Sequence, residues 1–137
     1  MKSIKAIDFF SGAGGLTSGL KMAGIDVFAG VDFEPSCKET YEKNNNAMFI
    51  NKSIVDISIK EIKELFKRNT TKDDFTMLAG CAPCQPYSMM NTRKKQDDDR
   101  KTLLDEFRRV INGVKPHFVL MENVSRLNED NPYFSKF

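Results

Sequence analysis

Two short stretches of the chain combine reactive side chains with a constrained backbone. In GCAPCQPYS, Gly80 to Ser88, Cys81 and Cys84 stand at Cys-x-x-Cys spacing, and Pro83 and Pro86 flank the second thiol. A pair at this spacing can be a redox couple, half of a zinc site, or one nucleophile beside a bystander. A redox couple opens a helix at its first cysteine, whereas the two prolines suit a tight turn. A zinc site needs about four ligands, and beyond the pair the chain has only Cys37, His117 and scattered carboxylates. The turn reads as a device that aims Cys84, which must be accessible and reach its thiolate state to act as a nucleophile.

The second stretch is FFSGAGG, Phe9 to Gly15, followed by Asp32 at 20 positions beyond Gly12. A glycine turn between strand and helix is a weak signal taken alone. An acid at the end of the next strand strengthens it, because its carboxylate can accept hydrogen bonds from ribose hydroxyls. The plainer reading is that Asp32 caps the helix after it. Phe33 can lie against an adenine ring. The stretch lacks the phosphate-binding lysine of a P-loop, so it suits a nucleoside better than a nucleoside polyphosphate.

These groups need elements to hold them, and the chain alternates strand and helix. Ile4 to Phe10 reads as a buried strand running into the glycine turn. Leu16, Leu20 and Ala23 recur at helical spacing, and Gly24 closes that helix. Val27 to Val31 is a second strand ending at Asp32. Pro35 opens a helix to about Asn44, with Cys37 and Tyr41 on its buried face. Met48 to Ile50 is a short third strand, and Ser58 with Glu61 forms a capping box for a helix to about Lys67. Phe75 to Ala79, a fourth strand, delivers the chain into GCAPCQPYS. Thr102 and Asp105 resemble a second capping box, ahead of a helix that lines up Leu103, Phe107, Val110 and Val114. His117 to Met121 is a fifth strand ending at Glu122, with His117 a surface residue at its start. Such alternation implies an α/β fold with a parallel sheet covered by helices on both faces. The glycine loop, Asp32, Cys84 and Glu122 all follow strands, so they gather at the carboxyl edge where open α/β sheets bind ligands.

A nucleophile and a carboxyl group facing one planar ring suit attack on a pyrimidine. Cysteine adds at C6 while the acid supports protonation at N3, and C5 becomes a carbon nucleophile that needs an electrophilic methyl donor. The glycine-loop site supplies a place for that donor, S-adenosylmethionine.

The motifs resemble those of the C5-cytosine DNA methyltransferases. DFFSGAGGL (Asp8 to Leu16) resembles that family's first cofactor motif, and VDFEPSCKETYEKN (Val31 to Asn44) its second. VDI (Val55 to Ile57) sits where the family contacts the adenine amino group. APCQPYS (Ala82 to Ser88) resembles the nucleophile motif and KPHFVLMENV (Lys115 to Val124) the glutamate motif. The resemblance implies a Rossmann-like S-adenosylmethionine-dependent methyltransferase fold. It makes Cys84 the nucleophile on a flipped cytosine in double-stranded DNA, Glu122 the group on N3 and the exocyclic amine, and Asn123 a brace for that loop. Phe10, Gly12, Gly15, Leu16 and Gly80 are implied to cradle the cofactor, Asp32 to bind its ribose and Phe33 to pack on adenine. Asp56 and Ile57 are implied at the adenine edge, with Leu103 closing the pocket. Gln85 and Ser88 are placed on the loop that closes over DNA, and Arg93, Lys94 and Lys95 are expected at DNA phosphates. Cys81 falls where the family more often has glycine. A tRNA cytosine methyltransferase uses a similar core, and a non-catalytic cofactor-binding remnant is the reading from a different class.

Composition bounds these readings. The chain has 137 residues, 40% hydrophobic and 29% charged, with a net charge of +2, which suits one ordinary α/β domain over residues 1–137. No run reaches the roughly 18 apolar residues of a membrane span. Three cysteines suit reduced thiols in the cytoplasm rather than a disulfide framework. The resemblance ends after the glutamate motif, at about the fifth of the family's seven strands. The expectation is therefore a fragment, or one half of a split enzyme that needs a second chain.

Overall fold

The computed structural model describes residues 2–82 and 99–122. Among them, five parallel strands form one sheet in the order β3-β2-β1-β4-β5. These are β1 (Ile4–Phe9), β2 (Asp26–Asp32), β3 (Met48–Asn51), β4 (Phe75–Gly80) and β5 (Phe118–Met121). The connecting helices are α1 (Gly15–Met22), α2 (Lys38–Asn45), α3 (Ile59–Asn69) and α4 (Asp99–Val114). After β1 the chain steps outward to β2 and β3, then returns to place β4 on the other flank of β1. The strand order therefore reverses between β1 and β4, the kind of switch point beside which open α/β sheets bind ligands at their carboxyl edge.

The expected alternation of faces is broken once. Ala6 pairs with Val27 but Ile7 pairs with Ala29, so Phe28 is an extra residue in β2. This bulge turns the strand over. Val27 packs with Ala6, Leu20, Met77 and Ala79 under α1. Ala29 and Val31 pack instead with Ile7, Phe9 and Leu78 against Ile62 and Phe66 of α3 and Phe107 and Val110 of α4. Phe28 lies edge-on to Phe66, with ring centroids 5.6 Å apart. Phe9 is fully buried, as strand alternation anticipates.

Local signals in the sequence account for most helix ends. Gly24 (φ +84) follows α1, and the Gly24 and Ile25 amides donate to Lys21 and Leu20 carbonyls at 3.0 Å, a Schellman closure. Ser58 and Glu61 form the expected capping box of α3. Pro35 starts a 3₁₀ turn, Pro35–Cys37, before α2. That turn leaves Cys37 only half-buried, whereas Tyr41 is fully buried.

One expected helix start is overturned. Thr102 does not cap α4, because the helix is already formed at Asp99. A Thr and an acid three residues apart also sit one turn apart inside a helix, and Asp105 pairs forward with Arg108 at 3.0 Å. Among the described residues no helix is long and apolar enough to cross a membrane.

Candidate active site at the carboxyl edge of the sheet

The loop after β1 is shaped by three left-handed residues, Phe10 (φ +58), Gly12 (φ +50) and Gly14 (φ +96). Gly14 has a second requirement. A Cβ there would meet Asn45 Nδ2 at 2.1 Å and the Tyr41 ring at 2.9 Å. At Gly12 and Gly15, by contrast, a Cβ would point into open space, so the loop presents a bare backbone surface at those positions. Phe10 is a bulky residue in a conformation that costs on the order of 1 kcal/mol. Its ring lies edge-on to Phe107 at 6.1 Å, and that packing offsets the strain. Gly14 caps α1 without a side-chain bond, so the helix opens its first amides toward the loop.

Asp32 ties this loop to the end of β2. Its Oδ2 accepts from the Gly12 amide at 2.8 Å, and its Oδ1 accepts from the Glu34 amide at 2.9 Å. The carboxylate therefore both steadies the turn after β2 and faces the glycine loop. Each oxygen keeps accepting capacity, so a ribose hydroxyl can still be held. Asn51 Nδ2 donates to the Asp32 and Phe33 carbonyls at 3.1 and 3.0 Å. This fixes the peptide that carries Phe33, whose ring is 68% exposed.

Phe10, Asp32, Phe33 and Leu103 meet in one narrow cleft, together with Val31, Lys52, Ser53 and Ile54. The other residues expected to touch a cofactor do not line that cleft. Leu16, on α1, packs half-buried against the cluster beneath that helix. Gly80 is buried at the end of β4, where a Cβ would press on the Phe107 ring at 3.2 Å and the Phe9 carbonyl at 3.3 Å. Asp56 is exposed on the turn before α3. Ile57 is 1% exposed and packs in the core. A larger groove of about 400 Å³ runs between the β3 edge and α3, but the glycine loop, Asp32 and Glu122 take no part in it.

The strand ends on the other flank also converge. Gly80 and Met121 are register partners, and the Glu122 amide donates to the Gly80 carbonyl at 3.0 Å. Cys81 Sγ lies 2.8 Å from Glu122 Oε2 as a donor. The residue expected to be a bystander thus touches the expected catalytic carboxylate. Cys84, Gln85, Ser88, Arg93, Lys94, Lys95 and Asn123 lie outside the described residues. His117 is exposed at the start of β5, where its Nδ1 accepts from the Thr76 amide at 3.0 Å.

Beneath the glycine loop lies a polar cluster that the motif reading passed over. Asp8, on the α1 face of β1, is fully buried. Thr17 Oγ1 donates to its Oδ2 at 2.7 Å, and the Tyr41 hydroxyl lies 3.0 Å from the same Thr17 oxygen. Oδ1 of Asp8 has no partner among the described protein atoms. Burial pushes the Asp8 carboxyl up to about 6, against the opposing Thr17 hydrogen bond. Burial likewise pushes the Tyr41 phenol up to about 12. Gly30 makes room for this arrangement, since a Cβ there would sit 2.4 Å from the Tyr41 ring.

A family model for the C-5 cytosine-specific DNA methylases matches residues 4–135. The chain belongs to that family. The Type II methylase M.HgiDII of Herpetosiphon aurantiacus is 43% identical over 125 residues, covering 91% of this chain and 34% of the relative. Among solved structures, a prophage-encoded E. coli protein assigned as a DNA modification methyltransferase superposes with a TM-score of 0.75 at 28% identity, over 98% of this chain and 36% of that one. The S. pombe Dnmt2 methyltransferase superposes with a TM-score of 0.71 at 22% identity, over 96% of this chain and 40% of that one, and shows the shared fold alone. The C5-cytosine methylase chain thus spans about a third of the length of M.HgiDII and of the E. coli protein. Its five-stranded sheet is the Rossmann-like methyltransferase fold expected from the motifs.

Proposed function

We propose that this chain is the cofactor-binding and nucleophile-bearing part of an enzyme that methylates cytosine at C5 in DNA. The supporting observation is the convergence at one sheet edge. The narrow cleft opens at the end of β2, the glycine loop at the end of β1, and Glu122 touches Cys81 three residues ahead of Cys84.

The residues present fit S-adenosylmethionine. A ring face at Phe33, an acceptor at Asp32 and bare backbone at Gly12 and Gly15 suit base, ribose and a charged tail in turn. That group, when bound, supplies an electrophilic methyl. The chain's own residues do the rest. Cys84 as thiolate forms a bond to C6 of the cytosine, and Glu122 holds a proton at N3, so electron density moves to C5. After C5 gains the methyl, loss of its proton restores the C5–C6 double bond and expels the Cys84 thiolate. C6 is out of reach inside a duplex, so the base must leave the stack.

The outer edge of β5 is unpaired among the described residues, with Phe118 and Val119 exposed. An unpaired apolar edge suits docking of further polypeptide, in the same chain or a second one.

The test is transfer of labelled methyl to DNA by the wild type and by Cys84→Ser, each alone and with a polypeptide supplying the later motifs. Transfer that depends on Cys84 supports the proposal. No transfer in any combination, with cofactor binding intact, favours a non-catalytic remnant. Trapping on 5-fluorocytosine in tRNA but not in DNA would move the substrate to tRNA.

A further inference from the structure

We infer that Arg109 is a positioning residue for the nucleoside base, acting through the turn that walls the cleft; this rests on the proposed nucleoside site. Arg109 lies on α4 and reaches across to the segment between β3 and α3. Its Nη2 donates to the Ile54 carbonyl at 2.9 Å and to the Ile57 carbonyl at 3.3 Å. Its Nε donates to Glu106 Oε2 at 2.5 Å, which orients the guanidinium.

The two carbonyls bracket Val55 and Asp56. On the other side of this turn the Ile54 and Ile57 side chains are buried in the core. The segment is therefore held from both sides, apolar side chains inward and carbonyls onto a cation, and Val55 and Asp56 are left projecting. Ile54 itself lines the cleft. The same helix supplies Leu103 to the cleft wall and Phe107 under Phe10. Gly113 lets α4 lie close to the start of α3, since a Cβ there would meet Ile59 at 2.7 Å. The distance from Leu103 to the Ile54–Ile57 turn is thus set within one rigid unit, and Arg109 is its polar fastening. Hydrogen bonds from a charged donor outweigh neutral ones. Lysine cannot reproduce the arrangement, because a single ammonium has neither the planar fork nor the Nε that meets Glu106.

A residue that only adds stability would weaken every ligand alike. A residue that sets the turn should alter how the edge of the base is read. The experiment compares the 137-residue wild type with Arg109→Met, Arg109→Lys and Glu106→Gln. Two quantities are measured: the ratio of Kd values for S-adenosylhomocysteine and S-inosylhomocysteine, which differ only at the 6-amino group, and amide hydrogen exchange over residues 53–58 without ligand. The wild type should prefer the adenine compound by about tenfold, the scale of one lost hydrogen bond at a desolvated edge. Arg109→Met should bring that preference to about unity. It should also speed exchange of the Asp56 amide, which donates to the Ser53 carbonyl at 3.0 Å, by roughly tenfold or more. Arg109→Lys and Glu106→Gln should fall between. An unchanged preference in Arg109→Met overturns the inference, whether or not both affinities drop together. If the wild type binds neither compound, the nucleoside reading fails and the positioning role falls with it. Binding without a change of preference leaves that reading standing and removes only the role of Arg109.

Discussion

Replacing Asp8 with asparagine should remove a pH dependence of stability that runs opposite to most carboxylates. The folded carboxyl protonates at about 6 against an ordinary 3.8, chiefly because burial penalises the charge. Below about pH 3.8 the group is neutral in both states and its contribution is fully present. As pH rises toward 6 the unfolded chain ionises while the folded one holds its proton, so stability falls. Above 6 both are ionised and the loss is complete, at about 3 kcal/mol.

Other groups push the opposite way. Hydrogen bonds from the Lys52 ammonium and Ser58 hold Glu61 down at about 2, and those from Thr71 and Ser3 depress Asp74. Their stabilisation is present above the ordinary carboxylate range and lost as pH falls. The raw stability curve mixes these effects, so the quantity to measure is the difference between Asp8→Asn and wild type. Urea unfolding from pH 3.5 to 7 should show that difference moving by about 3 kcal/mol in favour of the variant, then levelling above about pH 6.5. Thr17→Val, which removes the donor opposing the shift, should move the midpoint of the wild-type curve upward. A flat difference curve would refute the reasoning, since it would mean that Asp8 ionises as freely when folded as when unfolded.

Further outcomes follow from packing. Gly14→Ala should cost about 3 kcal/mol in urea unfolding, combining a left-handed φ with the Asn45 contact. Phe107→Ala removes a fully buried ring that meets both Phe9 and Phe10; it should cost about 4 kcal/mol and weaken S-adenosylhomocysteine binding measured by calorimetry. Ser58→Ala breaks the capping box and should cost about 1 kcal/mol without altering ligand preference.

Much of the scaffold was legible because its signals are local. Gly24 announces a Schellman closure, Ser58 with Glu61 a capped helix, and strands separated by helices a parallel sheet. The distance from Asp32 to the glycine turn signalled their contact, which the Gly12 amide makes, but the helix cap expected of Asp32 falls instead to Glu34, whose carboxylate accepts from the Ser36 amide. Other features depend on pairings that spacing does not encode. The bulge at Phe28 appears only once β2 lies beside β1. Burial of the Ile57 side chain with Ile54 and Ile62 depends on how the turn before α3 packs on the sheet. Asp8 stood inside the first motif, but its burial needs Thr17 and Tyr41 from two separate helices. Arg109 acts on carbonyls 52 and 55 positions away, and a lone arginine on an amphipathic helix gives no sign of that reach. Cys81 looked inert because its partner, Glu122, arrives from another strand.

The two faces of the sheet support different parts of the cleft, which makes their contributions separable. On the α1 face, Asp8, Thr17 and Tyr41 underpin the glycine loop. On the α4 face, Phe107 underlies Phe10 and Arg109 fastens the turn at Ile54. Among the described residues Asp8 and Arg109 share no hydrogen-bond partner, and β1 lies between the clusters on the two faces. Substitutions at sites without shared contacts add to within about 0.5 kcal/mol. The stability change of the double variant Asp8→Asn, Arg109→Met should therefore equal the sum of the single changes at any one pH. The base preference should follow Arg109 alone, since Asp8, Thr17 and Tyr41 take no part in lining the cleft, whereas Arg109 holds the Ile54 carbonyl at its wall. Coupling well above that limit in urea unfolding, or a preference that shifts with Asp8, would mean the loop and the turn move as one body through the sheet.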